Sequence, residues 1–151
     1  GFYMEAIEAF SNFIAIVPDS PLGYLARGRA FMRREIYSDA IDDFNKALEL
    51  DPKATKPVYY RGECNHFLRQ YKQAVVDYTQ VIDKGDAKEW VYFNRAAVFY
   101  NLGNYEAAVE DYTTAIGKHG CDAENYSNRA DAFLGLDDVE RAMDDFRQRI
   151  G

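Results

Sequence analysis

The sequence predicts an all-α solenoid of antiparallel helix pairs, and three columns of residues predict it. Arg27, Arg61, Arg95 and Arg129 each stand 34 residues after the last. Ala6, Ala40, Ala74, Ala108 and Ala142 keep the same step. Phe10, Phe44, Tyr78, Tyr112 and Phe146 keep it too. A fixed period of 34 residues along the whole chain marks a repeat protein, in which each unit is stabilised against its neighbours.

With the arginine at position 7 of 34, the repeats fall at 21–54, 55–88 and 89–122. A shortened repeat covers 123–151, and residues 1–20 are the second helix of another. In 1–20, Tyr3, Ala6, Phe10 and Ile14 share one helical face, and Pro18 ends the helix. In 21–54, Tyr24, Gly28 and Phe31 form the inner face of a first helix over positions 1–14. Tyr37, Ala40, Phe44 and Leu48 form that of a second, over about positions 17–30, which Pro52 ends. Residues 55–88 repeat this with Gly62, Tyr71, Ala74, Tyr78 and Ile82. There Asn65 replaces the aromatic of position 11, which predicts looser packing. In 89–122 the faces are Tyr92, Ala96 and Phe99, then Tyr105, Ala108, Tyr112 and Ile116, with Gly117 and Gly120 predicted to stop the second helix. In 123–151 they are Ala130 and Phe133, then Val139, Ala142, Phe146 and Ile150. Small residues at positions 8 and 20 let the helices approach, and the aromatics at 11 and 24 fill the space beside them.

The run Tyr24, Gly28, Phe31, Tyr37, Ala40, Phe44, Ala47 and Pro52 resembles the tetratricopeptide repeat, TPR. Tyr92, Ala96, Phe99, Gly103, Tyr105, Ala108, Tyr112 and Ala115 resemble it nearly as well. The departures are local: Asn65, Val81 and Arg149, and Asp86 in place of the proline. The resemblance implies a right-handed superhelix and a scaffold or adaptor that binds other proteins.

Position 7, usually Leu in that family, is always Arg here. Position 23 is Asp43, Asp77, Asp111 and Asp145 wherever the repeat has its arginine, but Ala9 in the opening helix. Pairing within a repeat leaves no arginine without a carboxylate. The expected structural ion pairs are therefore Arg27–Asp43, Arg61–Asp77, Arg95–Asp111 and Arg129–Asp145.

The net charge of −7 and pI near 4.8 argue against nucleic acid and anionic membrane surfaces. No apolar run approaches the roughly 20 residues that span a bilayer. Cys64 and Cys121 occupy unrelated positions and read as free thiols of a reducing, cytoplasmic compartment. Asn125 heads a lone Asn-x-Ser sequon. His66 and His119 lie in different repeats, and no nucleophile, phosphate loop or metal spacing appears. No enzyme, cofactor or metal is expected.

The resemblance implies a partner-binding groove lined by positions 2, 5, 6, 9, 12 and 13 of each first helix. These are Leu22, Leu25, Ala26, Arg29, Met32 and Arg33, then Lys56, Tyr59, Tyr60, Glu63, His66 and Phe67. Trp90, Phe93, Asn94, Ala97, Tyr100 and Asn101 follow, then Glu124, Ser127, Asn128, Asp131, Leu134 and Gly135. The expected ligand is a peptide or helix of another protein, acidic toward Arg29 and Arg33, anchored near Trp90 and basic toward Asp131. Two alternatives stand beside it. One is a co-chaperone adaptor, although its two-carboxylate clamp is incomplete at Lys56/Tyr60, Trp90/Asn94 and Glu124/Asn128. The other is self-association through exposed ends of the array.

Overall fold

The computed structural model describes residues 1–85, 87–119 and 123–148, except the His119 side chain. Among these every regular element is helical. The helices are α1 (Phe2–Ile16), α2 (Pro21–Arg33), α3 (Tyr37–Leu50), α4 (Lys56–Phe67), α5 (Tyr71–Asp83), α6 (Glu89–Asn101), α7 (Tyr105–His119), α8 (Ala123–Gly135) and α9 (Val139–Gln148). The chain divides into two compact units, Gly1–Asp77 and Tyr78–Gly151. In the first, α1 packs on α2, α2 on α3 and α3 on α4. In the second, α6 packs on α7, α7 on α8 and α8 on α9.

The connection from each first helix to its second is the same turn. The amides of Ile36, Gln70, Asn104 and Asp138 donate to the carbonyls of Phe31, Asn65, Phe99 and Phe133. Those of Glu35, Arg69, Gly103 and Asp137 donate to Met32, His66, Tyr100 and Leu134. This double bonding is the Schellman motif, which needs a left-handed residue just past the helix. Glu35, Arg69 and Asp137 hold φ near 58–59°, and Gly103 holds 74°. Only Gly103 takes that conformation without a Cβ penalty.

Each pair closes through its small residues. Ala40, Ala74, Ala108 and Ala142 are wholly buried. A Cβ added at Gly28 would lie 2.7 Å from Cε1 of Phe44. Phe44 itself is wholly buried among Ala40, Cys64, Phe31 and Tyr60. In the second unit Ala96, Ala108, Tyr112 and Ala132 form one cluster, and Ala130, Phe133 and Ala142 another. Replacing Ala108 by leucine should therefore overpack the α6–α7 contact and cost about 1–3 kcal/mol. Lys72→Ala, on an exposed surface, should change stability by less than about 0.5 kcal/mol. Thermal melts of both variants check this, and an unchanged melt for Ala108→Leu would put the wrong face inside.

Two expectations are corrected. Gly117 does not stop α7, which continues to His119; no neighbour stands where its Cβ would be, and the helix spans the weak point. Asn65 does not loosen its repeat. It is buried, and its Nδ2 donates to Oδ2 of Asp77 at 3.0 Å, so a hydrogen bond replaces aromatic filling. Asp86, Gly120, Cys121, Arg149 and Ile150 lie outside the described residues.

The inner surface of the first helices is wider than positions 4, 8 and 11. Position 3 is buried at Gly23, Pro57 and Val91, and position 10 at Ala30, Cys64, Val98 and Ala132. Cys64 packs on Ala40 and Phe44 of the preceding repeat, and Ala132 on Ala108 and Tyr112. At these two places the second stripe seats a repeat on the one before it, once within each unit.

Candidate partner-binding face

The face is set by the arginine at position 7. Arg27 Nε and Nη2 donate to Oδ2 and Oδ1 of Asp43 at 2.8 and 2.7 Å. Arg95 does the same to Asp111 at 2.7 and 2.8 Å, and Arg129 to Asp145 at 2.7 and 2.6 Å. Arg61 reaches Asp77 Oδ1 through Nη2 at 2.6 Å. All four aspartates are buried. These two-pronged contacts fix orientation as well as charge. For Arg27, Arg95 and Arg129 the aspartate hydrogen bond is the main cause of a guanidinium pKa raised further still, against the opposing effect of burial.

The remaining nitrogen reaches backward. Nη1 of Arg27, Arg61, Arg95 and Arg129 donates to Ser11 Oγ, Asn45 Oδ1, Thr79 Oγ1 and Thr113 Oγ1, at 3.1, 2.7, 2.9 and 3.0 Å. Each arginine thus binds the residue 16 ahead in its own repeat and the residue 16 behind in the preceding one. The first helix is clamped to two second helices at once, which fixes its rotation about its axis.

That rotation decides what stays open. Successive residues of a helix turn by about 100°. Positions 3, 4, 7, 8, 10 and 11 then fall on one arc and 2, 5, 6, 9, 12 and 13 on the other. None of the residues at those six open positions is buried in any of the four first helices.

In the first unit this face carries Arg29, Arg33, Lys56 and Phe67 exposed, and Tyr59, Tyr60, Glu63 and His66 half-buried. The guanidinium carbon of Arg29 lies 5.2 Å from the Tyr60 ring centroid. Tyr59 OH donates to Glu63 Oε1 at 3.0 Å. Burial raises the Glu63 pKa, and the Tyr59 bond and the Arg33 charge partly oppose it. Burial lowers that of His66. The Tyr37 and Phe67 rings stack with centroids 5.0 Å apart.

In the second unit Trp90 is 48% exposed. Tyr100, Asn101, Glu124 and Asp131 are exposed, and Phe93, Asn94 and Asn128 half-buried. Phe93 meets Tyr112 edge-on at 5.5 Å, so it belongs as much to the core as to the face. Asn125, which heads the sequon, is half-buried in the first turn of α8.

Cys64 is free and buried, and burial pushes its thiol up to about 12, far from the range of a reactive thiolate. Among the described residues no group of three His, Cys, Asp or Glu could hold a metal. No helix among them is long and apolar enough to cross a membrane.

Helix pairs locked in register, with one open row of aromatic and charged side chains per unit, define a helical-repeat scaffold for protein–protein interaction. Tetratricopeptide-repeat models match residues 1–55 and 90–117. The chain belongs to the tetratricopeptide-repeat family.

Solved structures share the fold. One of MamA is 20% identical, with a TM-score of 0.93 over 98% of this chain and 86% of that one. MamA 41-end from Desulfovibrio magneticus RS-1 is 19% identical, with a TM-score of 0.95 over 99% and 85%. YrrB, a TPR protein with an unusual peptide-binding site, is 18% identical, with a TM-score of 0.87 over 98% and 76%. At these identities the likeness concerns the fold alone. No curated protein matches the sequence.

Proposed function

We propose that the chain is a non-enzymatic adaptor, a single array of repeats divided as 1–20, 21–54, 55–88, 89–122 and 123–151, that binds a peptide or helix of a partner protein. The binding surface is the open face of its first helices. The observation that carries this is the exposure pattern: positions 3 and 10 are used up in packing, while 2, 5, 6, 9, 12 and 13 stay accessible. Exposed aromatics in such a row supply the large contact areas on which binding energy concentrates. In the first unit the row is basic and aromatic, through Arg29, Arg33, Lys56 and Phe67. In the second it is aromatic and acidic, through Trp90, Tyr100, Glu124 and Asp131. The co-chaperone alternative has less support, because exposed Glu124 stands where the carboxylate clamp needs a lysine. Self-association rests on the apolar surface of α1, where Phe2 and Ile16 are exposed. A concentration-dependent mass in solution would favour it.

Trp90→Ala tests the reading. A partner recovered with the wild-type chain should dissociate from the variant about 30-fold faster, the equivalent of about 2 kcal/mol at a binding hot spot. Surface plasmon resonance reads the rate. A partner that shields second-helix residues and leaves at an unchanged rate removes the open face as the binding site.

A further inference from the structure

We infer that the cleft between α2 and α4 takes an acidic side chain of a bound peptide next to an apolar one, Arg29 and Arg33 holding the carboxylate and the Tyr37–Phe67 ring pair holding the apolar neighbour. This rests on the reading that the open face binds peptides, and gives the ligand of the first unit its chemistry. The cleft is a cavity of about 400 Å3, and these four residues line it together with Glu63 and Tyr60, among others.

Arg29 and Arg33 stand one turn apart on exposed surface of α2, where like charges repel. The four arginines at position 7 are each neutralised by an aspartate. Neither Arg29 nor Arg33 makes an ion pair with a described carboxylate. Arg29 places its guanidinium carbon over the Tyr60 ring, and its N–H edge has no ion-pair partner among the described carboxylates. That edge is the part of arginine that matches a carboxylate.

Of the two acidic groups of the same cavity, Glu63 is already engaged. Glu63 accepts the Tyr59 hydroxyl, is half-buried and feels the charge of Arg33. Glu35 stands exposed at the edge of the cavity, beyond the helix that carries the two arginines. On the other wall, Phe67 is 62% exposed although it stacks on Tyr37 with an interplanar angle of 8°. A bare ring beside unpaired guanidinium edges suits an apolar side chain followed closely by an acidic one.

A phage-displayed library of random peptides selected on the whole chain tests this, with circular dichroism to confirm that each variant folds. Wild type should enrich peptides with Asp or Glu within a residue or two of an aromatic or aliphatic residue. Arg29→Glu with Arg33→Glu, both on exposed surface, should weaken the best such peptide about tenfold or more by fluorescence anisotropy. The same double variant, used as bait, should enrich basic residues instead. Phe67→Ala should weaken the peptide without changing the charge preference. Acidic peptides that bind the double variant as tightly as wild type, or enriched peptides without an acid, overturn the assignment and leave the open face standing. Selection that enriches nothing overturns both.

Discussion

Asp111→Ala should lower stability by about 3–5 kcal/mol, because it leaves a buried guanidinium without its counter-charge. The Arg95 side chain is 16% exposed and Asp111 7%, so little water reaches the pair to take the aspartate's place. Arg95→Leu in the same chain should restore most of the loss. The double variant removes the charge that needed a partner and puts an apolar side chain beside the Phe99 ring. A buried ion pair replaced whole by apolar groups is often close to neutral. Urea midpoints of the two variants and wild type check the ordering. Equal midpoints for the single and the double variant would mean that desolvation of Arg95 is not what Asp111 offsets. The corresponding cost at Asp43 should be smaller, because Arg27 is 23% exposed and so better hydrated.

How far the sequence speaks for this molecule follows from what a repeat makes visible. A column shows when one residue type recurs. The arginines and their aspartates 16 residues on are such columns, and they point at each other. The backward partners of the same arginines are Ser11, Asn45, Thr79 and Thr113. They share an acceptor oxygen but are of three residue types, so no column stands out. Position 15 behaves alike: Glu35, Arg69, Gly103 and Asp137 take one left-handed conformation, but a single glycine among four different residues hides the shared turn. Asn65 misleads for the opposite reason. An amide in an aromatic column looks like a packing fault until Asp77 is seen beside it. Gly117 misleads because the helix penalty of a glycine is only about 1 kcal/mol, too little to end α7 after the buried turn of Tyr112 and Ala115 that precedes it. The open face is legible from the family's pattern of positions. The cleft within it is not, because Tyr37 belongs to a second helix that the pattern of first-helix positions leaves out.

Phe44→Ala should cost about 3–5 kcal/mol, the range for a large aromatic truncated in a core that cannot collapse around the space. Phe44 is wholly buried, and its ring lies against the backbone of Gly28, whose absent side chain makes room for it. The contact is tight enough to be tested from both sides. Gly28→Ala alone should destabilise, since the new Cβ would sit 2.7 Å from Cε1 and 3.0 Å from Cδ1 of the ring and cannot be accommodated without moving one helix. The better helix propensity of alanine, about 1 kcal/mol over glycine, offsets part of this. Phe44→Leu alone should also destabilise, by leaving a void on the glycine. The two together should lose less than the sum of the singles, because the alanine methyl enters the space the ring has left. A coupling of about 0.5–3 kcal/mol is what a double-mutant cycle gives for residues in contact. Chemical denaturation of the four chains measures it. Strict additivity would mean that Gly28 and Phe44 do not share one packing site, and that the small residue of position 8 stands there for some reason other than the aromatic of position 24.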